Sequence, residues 1–346
     1  MNSDLSYLQV RDIGEQGILE RLQRFCPPEI IGDDAAVLAI TAQESLVVTT
    51  DMLVDGVHFS DITTSPEDTG WRASAANLSD LAAMGAFPLG ITVGLGLPGD
   101  LAVSWVERLY QGMTECLQKY NVPILGGDIV RSPITTLAIT AFGQANPNFI
   151  IRRSTAQVGD AIIVTGIHGA SRAGLELLLN PQICQNLESE EKAALIKAHQ
   201  RPNPRLDVIP ILQEIFTSPC PISISGMDSS DGLADAVLQI CRASRVGAIL
   251  EQSKIPLPSA FHKWLTPGQW LHPPQAWLNY ALYGGEDFEL VLCLPPPAAL
   301  TLVQKLGAGA SIIGTITPGL TVILHHENER IPDQALSLSQ GFQHFS

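Results

Sequence analysis

Apolar runs alternate with amphipathic segments along the first half of the chain. The β-branched runs at 44–50 and 88–97 end in turn-forming residues, which is typical of buried strands. The segment between them, 65–85, has a proline near its start, alanine-rich faces and a closing glycine, and these features predict a helix. Segment 102–120 repeats its apolar residues at helical spacing and predicts a second helix.

The pattern changes near the middle of the chain. Two strands are predicted at 122–125 and 134–143, with the tripeptide GGD as the turn between them, and the turn formers QANPN at 144–148 predict a domain boundary. Beyond it, strands are predicted at 161–165, 288–294 and 310–316, and a helix at 230–245. This order of elements is that of an α/β or α+β protein in two halves of similar size.

Composition supports a globular protein and limits its partners. Of the 346 residues, 45% are hydrophobic and 16% are charged, which supplies a core and excludes a disordered chain. A net charge of −15 repels nucleic acids and anionic membrane surfaces. The first ten residues lack the pattern of a signal peptide, and the six cysteines show no zinc spacing. We expect a cytoplasmic protein with no nucleic-acid or membrane partner.

Acidic residues recur beside glycine, serine or threonine in short phrases: IGDDAAV, VVTTDMLVDGVHF, ANLSDLAAMGA, LGGDIVR, MDSSDGL and YGGEDFEL. A single Gly–Asp pair is usually only a turn. Six such phrases in a chain that is otherwise poor in charge indicate a ligand site. Hard oxygen donors without thiolates favour Mg²⁺, Mn²⁺ or Ca²⁺ over zinc.

Other common phosphate-binding and nucleophile motifs are absent from the sequence or incomplete in it. The chain has no G-x-x-x-x-G-K-[ST] and no G-x-S-x-G. A G-x-G-x-x-G occurs at Gly94, Gly96 and Gly99, but it contains Pro98 and no acidic strand end follows it for a ribose contact. We interpret it as a turn that ends a strand.

Two further features have alternative interpretations. His58 follows the acids of VVTTDMLVD in a short loop and is either a structural residue or a ligand contact. Arg152 and Arg153 are either a solvated pair at a domain start or planar cations that bind a phosphate.

Together these phrases resemble the thiamine-monophosphate kinase family, part of the aminoimidazole-ribonucleotide-synthetase-like superfamily of ATP-using enzymes. The stretches that carry the resemblance follow the family order: IGDDAAV (31–37), TTDMLVDGVHF (49–59), NLSDLAAMGA (77–86), GGD (126–128), RRSTAQVGDAIIVTG (152–166), SSDGLADA (229–236), YGGEDFEL (283–290) and GFQHF (341–345). The phrase DSSDGL departs from the commoner family pattern D-[IV]-S-D-G-L, because Ser229 replaces an apolar residue.

The resemblance implies a two-domain architecture, α/β followed by α+β. An N-terminal α/β half at 1–147 would bind ATP and Mg²⁺ and contribute strands to a β-barrel that is shared across a homodimer. A C-terminal α+β half at 148–346 would complete the active site.

The resemblance also assigns site residues. It implies that several Mg²⁺ ions are held by Asp34, Thr49, Thr50, Asp51, Asp80, Asp128, Asp228 and Asp231. It implies ATP contacts at Tyr110, Gly127, Asp128, Arg153 and Ser230, and thiamine phosphate contacts at His58, Glu286 and Phe342. Among these residues we expect Asp51, Asp128 and Asp231 to be catalytic.

The implied activity is a phosphotransferase with a phosphate group as acceptor: ATP phosphorylates thiamine monophosphate to thiamine diphosphate in one in-line step. The acceptor oxygen is already ionised at neutral pH, so the reaction needs charge neutralisation more than a strong general base. Two alternatives remain open at this point. One is another ATP-dependent enzyme of the same superfamily, and the other is a non-catalytic scaffold that binds divalent metals.

Overall fold

The computed structural model describes residues 8–27, 40–216, 224–264, 276–328 and 331–340. The chain divides into two compact units: Met1–Leu81 with Phe87–Gln144, and Ala82–Ala86 with Ala145–Ser346. We call them the first and the second unit. The domain roles assigned above to 1–147 and 148–346 stay a prediction.

Helices and strands alternate along the first unit up to β3, which is followed directly by β4, and the second unit contains both helices and strands in irregular order. The helices are Val10–Leu22 (α1), Pro66–Ala83 (α2), Val103–Gln118 (α3), Ala170–Leu179 (α4), Ser189–Gln200 (α5), Val208–Ile215 (α6), Leu233–Ser244 (α7), Phe261–Trp264 (α8), Ala276–Tyr283 (α9) and Pro296–Leu306 (α10). The strands are Ser45–Val54 (β1), Phe87–Leu97 (β2), Ile124–Arg131 (β3), Thr136–Ala145 (β4), Ala161–Val164 (β5), Ser225–Asp228 (β6), Gly247–Glu251 (β7), Leu290–Leu294 (β8), Ser311–Thr317 (β9), Val322–His325 (β10) and Gln334–Ala335 (β11). Across the described ranges, no helix is long and apolar enough to span a membrane.

The first unit contains a four-stranded sheet in the order β1-β4-β2-β3, with β2 parallel to β3 and antiparallel to β4. Helices α2 and α3 approach each other unusually closely. A Cβ atom on Gly70 of α2 would lie 2.0 Å from the Leu109 carbonyl oxygen, and one on Gly112 of α3 would lie 1.8 Å from the Glu67 carbonyl oxygen. Only glycine fits at both positions, so the two helices form one rigid layer.

One face of this sheet is exposed and carries several apolar side chains. Along β1, exposed residues alternate with half-buried ones, and the exposed set includes Leu46, Val48 and Met52. Val130 of β3 is also exposed. Since alternate side chains of a strand point to opposite faces, these residues share the face that lies opposite α2. We call this surface the open face.

The second unit contains a seven-stranded mixed sheet in the order β11-β10-β7-β9-β5-β8-β6. Strands β5, β8 and β6 are buried along their whole lengths, as expected for strands covered on both faces. Helices α7 and α9 contribute Val237, Ile240 and Leu282 to a buried cluster that also contains Val291 and Leu250 of the sheet.

The predicted helices at 65–85 and 102–120 are confirmed as α2 and α3, and the predicted strand at 88–97 as β2. The predicted turn at GGD is wrong, because β3 runs through it from Ile124 to Arg131. Its second glycine serves a close strand contact instead: a Cβ on Gly127 would lie 1.9 Å from the Val93 carbonyl oxygen.

Three other expectations need correction or remain untested. Gly94 and Gly96 lie inside β2 rather than in a turn after it. Strand β1 continues past the predicted end at 50 to Val54, so Asp51 is inside a strand and not at its end. Neither sheet formed by the described residues closes into a barrel, and the dimeric barrel stays a prediction.

Candidate active site

Three of the predicted metal ligands come together between β1 and α2. The hydroxyl of Thr49 donates a hydrogen bond to the carboxylate of Asp80, and the Asp51 N–H donates to the side-chain oxygen of Asn77 at 3.2 Å. Asn77 and Asp80 are three residues apart on α2 and therefore share one helix face. Asn77 is fully buried, and its amide also donates to the Ala73 carbonyl at 3.0 Å. The acids are thus held by a helix face and a strand that are each locally rigid.

Thr50 and Asp128 occupy the other side of the same sheet. The Thr50 hydroxyl lies 2.8 Å from the Thr140 hydroxyl on β4. Asp128 is exposed, whereas Ile129 beside it on β3 is buried, so the two side chains point to opposite faces. Two strands, β4 and β2, separate β1 from β3. Within the first unit, Asp128 and Gly127 are therefore apart from the cluster around Asp51.

His58 and Tyr110 have different environments within the first unit. The Nδ1 atom of His58 accepts the Val54 N–H at 3.1 Å, so a neutral imidazole here carries its proton on Nε2. Tyr110 is buried on α3, with its ring 5.5 Å from that of Phe25, and burial raises the pKa of its hydroxyl. The ATP contact implied for Tyr110 stays a prediction.

The acidic loop that follows β6 gathers several predicted residues of the second unit. Asp228 ends β6 and is nearly inaccessible to solvent, and its carboxylate accepts the Ser230 hydroxyl at 2.9 Å. Asp231 is exposed. Burial and then the nearby Asp231 charge raise the pKa of Asp235, and the Arg153 guanidinium acts in the opposite direction. Arg153 is therefore close enough to these acids to compensate part of their charge.

Glu286 reaches the same loop from another part of the chain. Its N–H donates to the Ser230 carbonyl at 2.7 Å. The backbone from Gly285 to Phe288 is strained, since φ is +67° at Gly285, +59° at Glu286 and +53° at Phe288. Non-glycine residues rarely adopt this left-handed region, and clusters of such residues are typical of functional sites.

Sequence reasoning missed a buried histidine behind the acidic loop. His168 has no solvent exposure, and its Nδ1 lies 3.1 Å from the Gly166 carbonyl oxygen, which can only accept. Its Nε2, 3.1 Å from the Ser229 hydroxyl, is then the acceptor in the neutral ring. Burial lowers the pKa of His168 to about 4, which keeps it neutral at pH 7. The only sequence signal was the unusual Ser229 itself.

The donors present suit magnesium by their chemistry. The Asp80 carboxylate is bonded to the Thr49 hydroxyl, and Asp51 is joined through its backbone N–H to the amide oxygen of Asn77, which is on the same helix as Asp80. Carboxylate, hydroxyl and amide oxygens are hard donors without sulfur, and magnesium prefers such donors. In the ranges that the structure describes, no three His, Cys, Asp or Glu side chains form a group that could hold a metal ion. Two predicted residues, Asp34 and Phe342, lie outside those ranges.

Comparison with known proteins identifies the family. The family model for the N-terminal domain of AIR synthase related proteins matches residues 32–145, and the model for their C-terminal domain matches residues 157–326. A thiamine-monophosphate kinase from Synechococcus elongatus is 51% identical over 344 residues, which cover 99% of this chain and 99% of that protein.

Solved structures agree with the sequence comparison. A thiamine-monophosphate kinase from Stenotrophomonas maltophilia aligns with a TM-score of 0.73 at 31% identity and covers 91% of this chain and 96% of that chain. AaThiL complexed with AMPPCP and TMP aligns with a TM-score of 0.69 at 29% identity and covers 95% of this chain and 98% of that chain. This chain belongs to the thiamine-monophosphate kinase family.

Proposed function

We propose that this protein transfers the γ-phosphoryl group of ATP to thiamine monophosphate and releases thiamine diphosphate and ADP. The observation that carries the proposal is 51% identity to a thiamine-monophosphate kinase over 99% of both chains. A structural relative bound to AMPPCP, an ATP analogue, and TMP supports the same pair of substrates.

The acids of the site suit this reaction because two anions must approach each other. Asp51, Asp80 and Thr49 supply oxygen donors on one side of the first sheet. Bound Mg²⁺ would neutralise the negative charge on the reacting phosphates. We also propose Asp34, Thr50, Asp128, Asp228 and Asp231 as ligands, and we assign them to further Mg²⁺ ions, because Thr50 and Asp128 lie on the opposite face of the sheet from Asp51. Among all these ligands, we propose that Asp51, Asp128 and Asp231 are catalytic.

We assign the organic substrates to the remaining residues. ATP would contact Tyr110, Gly127, Asp128, Arg153 and Ser230. Thiamine monophosphate would contact His58, Glu286 and Phe342. The thiazolium ring of thiamine carries a positive charge, and the half-exposed carboxylate of Glu286 is a suitable partner for it.

We assign a direct in-line transfer without a phosphoenzyme. The acceptor phosphate is itself a competent nucleophile, and the Nδ1 of His58 is engaged by the Val54 N–H. Incubation with γ-labelled ATP and Mg²⁺ but no acceptor should leave the denatured protein unlabelled. A chiral γ-phosphoryl group should invert its configuration, and net retention would contradict the direct route.

The open face of the first sheet supports a homodimer. Leu46, Val48 and Met52 form an exposed stripe on β1 that is apolar except for Thr50, next to strands whose other face is buried. A second copy of the chain that pairs with this face would cover the stripe and close a barrel. Light scattering at micromolar concentration should report twice 37.1 kDa. An active monomer would contradict the arrangement.

A single assay separates the candidate activities. ADP and thiamine diphosphate are measured with ATP and Mg²⁺, with and without thiamine monophosphate, and again after removal of metal by a chelator. We expect both products only when acceptor and metal are present. ADP release that depends on a different acceptor would favour another ATP-dependent enzyme of the superfamily. Metal binding without any turnover would favour the scaffold. The cytoplasmic location stays a prediction.

A further inference from the structure

The strained backbone around Glu286 is anchored on one side by its neighbour, Asp287. The two carboxylate oxygens of Asp287 accept the N–H groups of Gly169 at 2.6 Å and Ser171 at 2.9 Å, at the start of α4. These two N–H groups have no partner within the helix itself, so the two hydrogen bonds satisfy them and fix the loop to the helix. It fixes the backbone but does not determine where the neighbouring Glu286 side chain points.

A buried histidine lies against that side chain. His199, near the end of α5, is 2% exposed, and its Nδ1 is 3.6 Å from the Glu286 Oε2. The same Nδ1 lies 3.2 Å from the Ser171 hydroxyl, on the residue whose N–H binds Asp287. Glu286, Asp287, Ser171 and His199 therefore form a continuous chain of contacts that joins the loop, α4 and α5.

The chain reaches this arrangement through an unusually close helix contact. A Cβ on Gly174 of α4 would lie 2.1 Å from the Leu195 carbonyl oxygen of α5 and 3.1 Å from the His199 Cβ. Only glycine permits this approach, and the approach brings the His199 ring to the Glu286 carboxylate. Glu286 has 34% of its side chain exposed, whereas the His199 side chain has 3% exposed. The carboxylate thus has a buried side facing the imidazole and an accessible side.

We propose that His199 is a positioning residue for the thiamine substrate: it holds the Glu286 carboxylate so that its accessible side meets the cationic ring. This inference rests on the proposed function through the role of Glu286. His199 itself would not touch the substrate, since it lies behind the carboxylate. The imidazole is buried and its Nδ1 lies 3.6 Å from the carboxylate, so the ring limits the orientations that the Glu286 side chain can adopt.

The test compares two substitutions at His199 with a control at another buried histidine. His199→Leu removes both ring nitrogens, whereas His199→Gln keeps a polar group that can contact Glu286. His326→Leu is the control, because His326 is also buried, at 6% exposure, and is bonded to Gln252. It lies next to β10 and β7, and β9, β5 and β8 separate these strands from β6 in the second sheet. The KM for thiamine monophosphate, the KM for ATP and kcat are measured for each protein, together with the thermal midpoint.

We expect His199→Leu to raise the KM for thiamine monophosphate about tenfold or more, with kcat and the KM for ATP within about twofold of the parent. His199→Gln should recover most of the loss. In a double-mutant cycle, Glu286→Gln combined with His199→Leu should cost much less than the product of the two single effects, because both changes remove one shared interaction.

Three results would overturn the proposal. One is a His199→Leu variant that loses thermal stability as His326→Leu does but keeps the parent KM. Another is a double-mutant cycle in which the two effects on KM multiply. The third is a His199→Gln variant with the full KM increase of Glu286→Gln, and this result is informative even if His199→Leu does not fold. Failure of the proposed function is distinguishable from these, because the parent protein would then form no thiamine diphosphate at all and both proposals would fall.

Discussion

The two sheets of this protein differ in how their faces are covered. Strands β5 and β8 of the second sheet are buried from end to end within a single chain. Strand β1 of the first sheet exposes every second residue, including Leu46 and Val48. Apolar area that remains in water is a driving force for association. The strands β5 and β8 are therefore covered within one chain, whereas the exposed residues of β1 are the surface to which we assign a partner subunit.

The acids differ in the same way between the two units. Asp51 and Asp80 lie on a strand and a helix, and their positions follow from regular secondary structure. Asp228 ends a strand that pairs with the distant β8, and Glu286 lies in a loop with left-handed backbone whose N–H bonds to the Ser230 carbonyl. Regular helices and strands therefore determine the positions of the acids in the first unit, whereas tertiary contacts determine those in the second.

The largest expected effect tests the acids of the first unit. Asp51→Asn should lower kcat by roughly a hundredfold or more, because an amide is a poor substitute for a carboxylate as a magnesium ligand. The thermal midpoint should hardly change, since the Asp51 N–H keeps its bond to Asn77. Asp100→Asn, an exposed acid after β2, is the matched control. Near-parental turnover of Asp51→Asn would remove this residue from the mechanism.

The next effect tests the contrast between the sheets directly. Val48 on β1 and Ile249 on β7 are both exposed apolar residues inside strands. Val48→Glu should weaken dimerisation about a hundredfold or more, because it buries a charge in the interface that we propose. Ile249→Glu should leave the oligomeric state unchanged. Sedimentation over a range of protein concentrations measures both, and equal behaviour of the two variants would contradict the assignment of the open face.

The smallest effect concerns the buried His168 of the second unit. Its pKa is about 4 in the folded protein, against about 6.5 in an unfolded chain. The unfolded state therefore binds more protons between these values, and stability is lost as the pH falls from about 6.5 to about 4. The full contribution is about 3 kcal/mol, and about 2 kcal/mol of it is lost by pH 5.

Urea unfolding at pH 7 and at pH 5 measures this loss. His168→Gln should show a smaller decrease in the free energy of unfolding between the two pH values than the parent protein does. An equal decrease in both proteins would show that His168 is not the group that titrates.

Sequence patterns were sufficient to predict an element that carries its own local signals. Helix α3 was predicted because its apolar residues repeat at helical spacing, and α2 because it has a proline near its start, alanine-rich faces and a closing glycine. GGD was mistaken for a turn because glycine marks both a turn and a close strand contact, and only the distance to Val93 separates the two. Strand β6 was missed because SGMD has no strand signal of its own and depends on pairing with β8.

The candidate site shows the same limit. The resemblance could name Asp51, Asp80 and Glu286, since each stands in a recognisable phrase. It could not name His199, which occurs in a polar stretch far from Glu286 in the chain and reaches it only through the packing of α5 on α4. Contacts of this kind are determined by tertiary structure and leave no local pattern.

The glycine contact between α2 and α3 limits how this protein can evolve. At Gly112 even a methyl group would have to displace the α2 backbone near Glu67, and α2 is the helix that carries Asn77 and Asp80. A substitution at Gly112 would thus shift the helix that carries Asp80, one of the metal ligands that we propose. In a library of random variants, Gly70 and Gly112 should be as intolerant of substitution as the acids, although neither carries a functional group.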